Sequence, residues 1–238
     1  MSVNKAYRAP RRNRIFRALL KPFGRGVFRL LSDVRIDGEE NIPRGKPYIV
    51  AVNHVSMFDP PFAGAFWPES VEIAGASNVF DKPFEGTILK MYGVIPVHRG
   101  EFDRALLVKV IHILNSGRPL LMSPEGGRSH VTAMRRAKPG IAYIVERTGV
   151  PVLPVGLVGT TTDFLRRVRQ RPRLTLEMRI GKPIVLPRIE AKGARRHELR
   201  QQNADLVMSH VAGLLPEEYR GAYAETAIEP SRVNSDSL

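Results

Sequence analysis

Residues 48–61 are Tyr-Ile-Val-Ala-Val-Asn-His-Val-Ser-Met-Phe-Asp-Pro-Pro, and this stretch decides the fold class. Its first five residues are apolar and predict a buried strand. Its two prolines, Pro60 and Pro61, exclude a helix that runs through residue 59, and they suit the first turn of a helix that begins there. A strand, a polar turn and a helix in succession form the building unit of α/β sheets.

Strand-like and helix-like segments alternate along the rest of the chain. At 238 residues there is room for one domain with a full core, but not for two large ones. We therefore predict an α/β fold, a single domain at residues 34–216 with a mixed, mostly parallel sheet flanked by helices. A basic amphipathic N-terminal helical arm precedes it at residues 1–33, and a C-terminal tail follows at residues 217–238. The predicted strands are residues 34–37, 48–52, 71–74, 94–97, 119–122, 152–158 and 174–180, and the predicted helices are residues 61–67, 84–91, 102–115, 140–147 and 195–215.

The charge of the chain is strongly positive and unevenly distributed. The 37 basic and 23 acidic residues give a net charge of +14, and residues 1–31 contain nine basic residues and no acidic one. The chain has no cysteine, which excludes disulfides, a thiolate nucleophile and thiolate metal sites.

The basic residues of the arm recur at helical spacing, which predicts a basic stripe opposite an apolar face. Pro22, Gly24 and Gly26 predict two short helices with a bend rather than one helix. A basic amphipathic helix is typical of an element that lies on an anionic membrane surface. A helix that packs its apolar face on the domain and leaves its charges in water is an equal alternative. The stripe consists of Arg14, Arg17, Lys21, Arg25 and Arg29, and the apolar face of Phe16, Leu19, Leu20, Phe23, Val27, Leu30 and Leu31.

The polar turn after the first buried strand contains His54 and Asp59. On a continuous helix, residues five apart differ by about 140° in direction, so these two side chains meet only across a turn. A histidine held by a carboxylate is a typical general base. The alternative is a structural histidine followed by an aspartate that only caps a helix.

A second polar turn, residues 123–129, also follows a strand-like run. Its sequence, Ser-Pro-Glu-Gly-Gly-Arg-Ser, places the carboxylate of Glu125 and the guanidinium of Arg128 on a flexible backbone that can close around a phosphate. An ordinary surface ion pair is the alternative. Together the two turns indicate an enzyme that deprotonates a hydroxyl group on a phosphorylated substrate.

Four blocks in order resemble those of the glycerolipid acyltransferase family, the 1-acylglycerol-3-phosphate acyltransferases and their relatives. They are residues 53–59, which look like the His-x4-Asp block, and residues 93–100, 123–129 and 150–155. Residues 137–140 also resemble the Lys-x-Gly helix start of the family. The resemblance covers about residues 35 to 185. Ser123 stands where the family usually has an aromatic residue, and Gly127 where it usually has threonine.

The resemblance implies transfer of a fatty acyl group from acyl-CoA or acyl carrier protein to the hydroxyl of a lysophospholipid. The first choice of acceptor is 1-acylglycerol 3-phosphate, which would give phosphatidic acid; glycerol 3-phosphate and a lyso-aminolipid are the alternatives. The thioester is a co-substrate, and neither a further cofactor nor a metal is expected. The implied catalytic residues are His54 as the base and Asp59 as the group that orients it. The implied substrate-binding residues are Arg99 and Arg128 on the phosphate, Glu125 on the arginines or the acceptor glycerol, and the amides of Gly126 and Gly127.

The sequence also bears on partners and location. Neither a transmembrane helix nor a signal peptide is expected, so we predict a peripheral enzyme on the cytoplasmic face of an anionic membrane. A sequence pI near 10.6 and a second basic cluster at residues 166–173 keep a nucleic-acid-binding protein open as a remote alternative. No nucleic-acid partner is predicted, since the aromatic residues are not interleaved with the basic runs.

Overall fold

The structure is a computed structural model, and it describes residues 6–98, 103–169 and 173–230. Within these residues, seven strands form one sheet in the order β1-β7-β6-β2-β5-β3-β4. Strands β2 to β6 run parallel to one another, whereas β7 pairs antiparallel with β6, and β1 pairs parallel with β7. The strands are β1 (Ser32–Asp37), β2 (Ile49–Val52), β3 (Glu72–Ala76), β4 (Ile95–Val97), β5 (Leu120–Met122), β6 (Val152–Val158) and β7 (Leu174–Ile180).

Helices cover both faces of the sheet, and each face has its own apolar core. Helices α4, α5 and α7 contribute to one core, and α1, α2, α3 and α6 contribute to the other. The predicted fold class, a mixed and mostly parallel α/β sheet flanked by helices, is confirmed. The helices are α1 (Arg11–Leu31), α2 (Asp59–Phe66), α3 (Pro83–Tyr92), α4 (Arg104–Asn115), α5 (Gly140–Thr148), α6 (Phe164–Val168), α7 (Gly193–Gly213) and α8 (Glu217–Arg220).

The centre of the sheet determines where polar groups can gather. Strand β2 lies between β5 and β6, and its four residues are fully buried, as its uninterrupted apolar sequence predicts. Since the three strands are parallel, their carboxyl ends meet at one edge of the sheet. Ligands of open α/β sheets bind at this edge.

The N-terminal arm is a single helix, so the predicted bend between two helices is wrong. Helix α1 continues through Pro22, because packing along its length compensates for the hydrogen bond that proline removes. Gly24 lies so close to α2 that a β carbon there would come within 3.2 Å of the side chain of Ala65. The arm is therefore packed on the domain.

Three of the five residues of the basic stripe, Arg17, Lys21 and Arg25, contact the domain, whereas Arg14 at one end of the stripe is exposed. The guanidinium of Arg17 is buried and donates to both carboxylate oxygens of Glu72, at 2.9 and 2.7 Å. Lys21 donates to the carbonyls of Pro68 and Glu69, and Arg25 donates to that of Ala65. The apolar side chains of the helix divide into two groups: Phe16, Leu20 and Leu31 pack against the core, whereas Ile15, Leu19, Phe23 and Leu30 are between 53% and 78% exposed. The domain therefore covers part of the basic stripe and part of the apolar face, and neither expectation describes the whole helix.

Burial and charge act in opposite directions on Glu72, the first residue of β3. Burial pushes the pKa of this carboxyl up, but the hydrogen bonds and the charge of Arg17 outweigh it and hold the pKa below its ordinary value. Arg118 adds a second ion pair at 3.2 Å, and the guanidinium of Arg17 also lies over the ring of Tyr92. The network ties α1 to the central sheet.

The domain boundaries drawn from the sequence stay a prediction. Part of the segment expected as a tail packs on the core, because the side chains of Tyr219 and Tyr223 are buried. Part of the basic cluster at residues 166–173 lies in the short helix α6, and residues 170–172 lie outside the described residues. In the part of the chain that the structure describes, no helix combines the length and the apolar character needed to cross a bilayer.

Candidate active site

Asn53 fixes the position at which the chain leaves β2. Its side chain donates to the carbonyl of Leu157 at 2.9 Å and accepts from the amide of Leu157 at 2.7 Å. This pair of hydrogen bonds replaces the ladder between β2 and β6 where the backbone of β2 turns away. The next residue, His54, is thereby held at the carboxyl edge of the sheet.

His54 and Asp59 meet across the turn, as their spacing predicts. Nδ1 of His54 lies 2.9 Å from Oδ2 of Asp59, which also accepts from the amides of Val55 at 2.8 Å and Ser56 at 2.7 Å. Asp59 is fully buried as the first residue of α2, whereas the side chain of His54 is 17% exposed. A carboxylate only accepts hydrogen bonds, so Nδ1 carries the proton and the lone pair of Nε2 is left for a substrate hydroxyl.

Glu125 holds the backbone of the turn at residues 53–59, the histidine turn. Its carboxylate is buried, and it accepts from the amide of His54 at 2.8 Å and from the amide of Arg135 at 2.8 Å. Burial raises the pKa of Glu125 to about 7, although both amide hydrogen bonds act to lower it. The partners among the described residues are main-chain amides, and because Arg99 lies outside these residues, the expected contact of Glu125 with the arginines stays a prediction. Contact between Glu125 and the acceptor glycerol stays a prediction.

Gly126, the first of the two glycines after Glu125, shapes the turn that follows β5. Gly126 has a φ of +68°, and a β carbon there would come within 2.8 Å of the side chain of Lys138. Its amide donates to the carbonyl of Ser123 at 3.2 Å within the turn, and the expected role of this amide on the substrate stays a prediction. The predicted role of the Gly127 amide is not affected by this finding and stays a prediction.

Arg128 and Lys138 lie on either side of the turn that follows β5, and their charged groups have no partner among the described residues. The amide of Ser129 donates to the carbonyl of His54 at 2.8 Å, which places the neighbouring Arg128 next to the histidine turn. Within the described ranges, neither the guanidinium of Arg128 nor the ammonium of Lys138 forms a hydrogen bond or an ion pair. The stem of Lys138 crosses Gly126. Arg99, the second arginine predicted for the phosphate, lies outside the described residues.

Sequence reasoning did not assign Lys138 or Thr160 to the site. Residues 137–140 were noticed only as a helix start. The contact between the side chain of Lys138 and Gly126 is the signal that identifies Lys138. Thr160 follows β6, and its hydroxyl donates to Oδ1 of Asp59. No local spacing marks this threonine, because its partner is 101 residues away in sequence.

A sequence model of the Acyltransferase family matches residues 33–158, which is more than half of the chain. The chain belongs to the acyltransferase family. The predicted resemblance to the glycerolipid acyltransferases is thereby confirmed. The crystal structure of the 1-acyl-sn-glycerophosphate (LPA) acyltransferase of Thermotoga maritima has the same fold, with a TM-score of 0.58 and 24% identity over 82% of this chain and 79% of that one.

Three curated relatives show which acyltransferases this chain is similar to. A 1-acyl-sn-glycerol-3-phosphate acyltransferase of Borreliella burgdorferi is 30% identical over 135 residues, 56% of this chain and 54% of that protein. A chloroplastic enzyme of the same name from Brassica napus is 30% identical over 52% of this chain and 37% of its own length. A lyso-ornithine lipid O-acyltransferase of Pseudomonas aeruginosa is 30% identical over 52% and 47%. The matched part spans about half or less of each relative.

Proposed function

We propose that the chain transfers a fatty acyl group from a thioester, acyl-CoA or acyl carrier protein, to the free hydroxyl of a lysophospholipid. One observation carries this proposal: the Nδ1 of His54 is fixed on a buried carboxylate, and the turn that holds this imidazole is bonded through Ser129 to the chain next to Arg128, whose guanidinium has no partner among the described residues. The family and the names of the relatives support the same reaction.

The geometry supports direct attack without an acyl-enzyme. Nε2 of His54 takes the proton of the acceptor hydroxyl while its oxygen forms a bond to the thioester carbonyl carbon. The carbon–sulfur bond then breaks, and the imidazolium returns the proton to the leaving thiolate. Ser56, the hydroxyl nearest in sequence, is buried and donates to the carbonyl of Thr161 at 3.2 Å, so it is engaged elsewhere. The role of Asp59 is to keep Nδ1 protonated and to stabilise the charged imidazole.

The unpaired cations favour a phosphorylated acceptor, 1-acylglycerol 3-phosphate first. Arg128 matches two phosphate oxygens with two parallel N–H groups, and Lys138 supplies a second positive charge. Glycerol 3-phosphate has the same phosphate and stays an alternative. A lyso-aminolipid is the other alternative, and the similarity to the lyso-ornithine lipid enzyme keeps it in the comparison.

Replacing Arg128 with alanine is expected to raise the KM for 1-acylglycerol 3-phosphate by about 10–100-fold, because a hydrogen bond to a charged group is worth about 1.5–3 kcal/mol. The KM for the thioester should change little. Initial rates over a matrix of both substrates separate the two constants, with glycerol 3-phosphate and a lyso-aminolipid as further acceptors.

Arg136→Ala is the matched control, since this nearby arginine is exposed and pairs with Asp205 at 3.2 Å. A similar rise in the acceptor KM in both variants would mean that the effect comes from the net charge of this surface and not from a specific contact of Arg128. An unchanged acceptor KM in Arg128→Ala, or a preference for the aminolipid, would contradict a phosphate site at Arg128.

We further propose that α1 holds the enzyme on the cytoplasmic face of an anionic membrane as a peripheral protein. Ile15, Leu19 and Phe23 are four residues apart, so they form one exposed apolar line, which Leu30 extends. The exposed Arg11, Arg12 and Arg14 flank one end of this line, and none of their side chains has a hydrogen-bond or ion-pair partner among the described residues. Apolar side chains beside unpaired basic groups match the boundary between acyl chains and anionic headgroups.

The double substitution Leu19→Gln/Phe23→Gln is expected to lower the affinity for anionic vesicles by at least about tenfold, because burying one large apolar side chain is worth about 1.5–3 kcal/mol. Glutamine keeps the helix propensity. Turnover should fall more on a bilayer-bound acceptor than on a dispersed short-chain one. High salt should release the native protein only in part, since it screens the arginines but not the apolar contact.

Val185→Gln serves as the control, because Val185 is an exposed apolar residue outside α1. Vesicle sedimentation with both variants provides the measurement. If the double variant sediments like the native chain, attachment does not involve α1, and the basic cluster at residues 166–173 becomes the next surface to test.

A further inference from the structure

We propose that Thr160 is a positioning residue for the acyl transfer, and that it acts by fixing the carboxylate of Asp59 against His54. The inference rests on the proposed function for its kinetic consequences. Its geometry stands independently, because it concerns only contacts within the chain.

The turn that carries Thr160 is built for close approach. The amide of Thr161 donates to the carbonyl of Gly159 at 2.9 Å, which makes a three-residue turn with Thr160 at its tip. Gly159 has a φ of +90°, and a β carbon there would come within 2.3 Å of the carbonyl oxygen of Thr175 in β7. The hydroxyl of Tyr219 accepts from the amide of Gly159 at 3.0 Å. The turn is therefore fixed by β7 on one side and by Tyr219 on the other.

Thr160 satisfies the half of the Asp59 carboxylate that the histidine turn leaves free. Oδ2 accepts from His54 and from two amides, whereas Oδ1 accepts from the hydroxyl of Thr160, its one donor among the described residues. Both side chains are fully buried. A buried carboxylate oxygen without a donor is costly, so this hydrogen bond stabilises the ionised group and fixes its rotation.

A second hydrogen bond keeps the two turns in register. Ser56 donates through its hydroxyl to the carbonyl of Thr161 at 3.2 Å. The turn after β2 and the turn after β6 are thus joined by two hydrogen bonds, one from Thr160 to Asp59 and one from Ser56 to Thr161. With the carboxylate fixed in this way, Oδ2 stays directed at Nδ1, and Nε2 stays directed away from it.

The consequence for the reaction is confined to the step in which His54 becomes charged. When Nε2 takes the hydroxyl proton, Asp59 must stabilise the new positive charge without reorienting. Removing the Thr160 hydroxyl leaves Oδ1 without this donor, so the rotation of the carboxylate is fixed only through Oδ2. Substrate contacts do not change, so the effect should appear in kcat rather than in either KM.

The test compares Thr160→Val, which replaces the hydroxyl by a methyl group, with Thr160→Ser, which keeps the hydroxyl. Thr160→Val is expected to lower kcat by about tenfold or more with both KM values nearly unchanged, because hydrogen bonds to charged groups are worth more than a factor of ten. Thr160→Ser should restore most of the rate. Thr161→Val is the control: it makes the same chemical change one residue later, where the hydroxyl donates to Asp163 and not to Asp59.

A spectroscopic measurement keeps the outcome independent of the reaction. In ¹⁵N-histidine spectra without substrates, the downfield Nδ1–H resonance of His54 should persist in the native protein and in Thr160→Ser, and should shift or disappear in Thr160→Val. Thr160→Ala serves in the same way if the valine variant does not fold. An unchanged resonance and an unchanged kcat in a folded Thr160→Val or Thr160→Ala variant would overturn the positioning role. A native protein that shows the resonance but no acyl transfer would instead contradict the proposed function.

Discussion

Replacing His54 with alanine is expected to lower the rate of acyl transfer by about 10²–10⁴-fold, the usual contribution of a general base. The fold should survive, because Asp59 keeps the amides of Val55 and Ser56 and the hydroxyl of Thr160 as donors. The measurement combines steady-state kinetics with thermal unfolding of the same preparation. Near-native turnover with an unchanged melting temperature would contradict the proposed mechanism.

Asp59→Asn should cause a loss of the same order. The neutral amide retains a hydrogen bond to Nδ1 if its oxygen faces the turn, but it no longer stabilises the positive charge that His54 acquires. Asp59→Asn is expected to lower the stability more than His54→Ala does, because Asp59 is fully buried and accepts from four donors.

The largest effect on stability is expected for Arg17→Leu, which should lower the free energy of unfolding by about 3–5 kcal/mol, the usual cost of removing one partner from a buried ion pair. Glu72 would remain buried, and among the described residues the partly exposed Arg118 would be its one remaining cationic partner. Urea unfolding measures the difference. Arg14→Leu is the control on the same helix, where an exposed and unpaired arginine should contribute less than about 0.5 kcal/mol.

The difference in the free energy of unfolding between Arg17→Leu and the native chain should become smaller as the pH falls. The ion pair lowers the pKa of Glu72 below its ordinary value of 4.5. The stabilisation is therefore present above that value and is lost as the pH falls through the lowered pKa of the folded state. A loss of stability below about 0.5 kcal/mol at neutral pH would mean that the ion pair does not anchor α1 to the sheet.

Local patterns predicted most of the fold and the centre of the site. The bounds of β6 and β7 agree with the prediction to the residue, because each is a long run with clear strand character. His54 and Asp59 were predicted to meet because two prolines and a five-residue spacing leave one arrangement. In each case the information lies within about ten neighbouring residues.

Contacts between distant residues account for what the sequence did not predict. Amphipathic spacing identifies the two faces of α1 but not which residues of each the domain covers, since Arg17 finds its partner 55 residues away. Glu125 reaches the amide of His54 across 71 residues, and Thr160 reaches Asp59 across 101. These pairings depend on which strands are neighbours in the sheet, and the order β6-β2-β5 is not encoded in local periodicity.

The release of free thiol tests the central claim most directly. Since the chain has no cysteine, a thiol reagent reports only the thiol that leaves the acyl donor, with no background from this protein. With acyl-CoA and 1-acylglycerol 3-phosphate, we expect one thiol released per phosphatidic acid formed, no release without acceptor, and loss of both products in His54→Ala. Thiol release that continues in His54→Ala at the native rate, or that proceeds without an acceptor, would contradict direct transfer with His54 as the base.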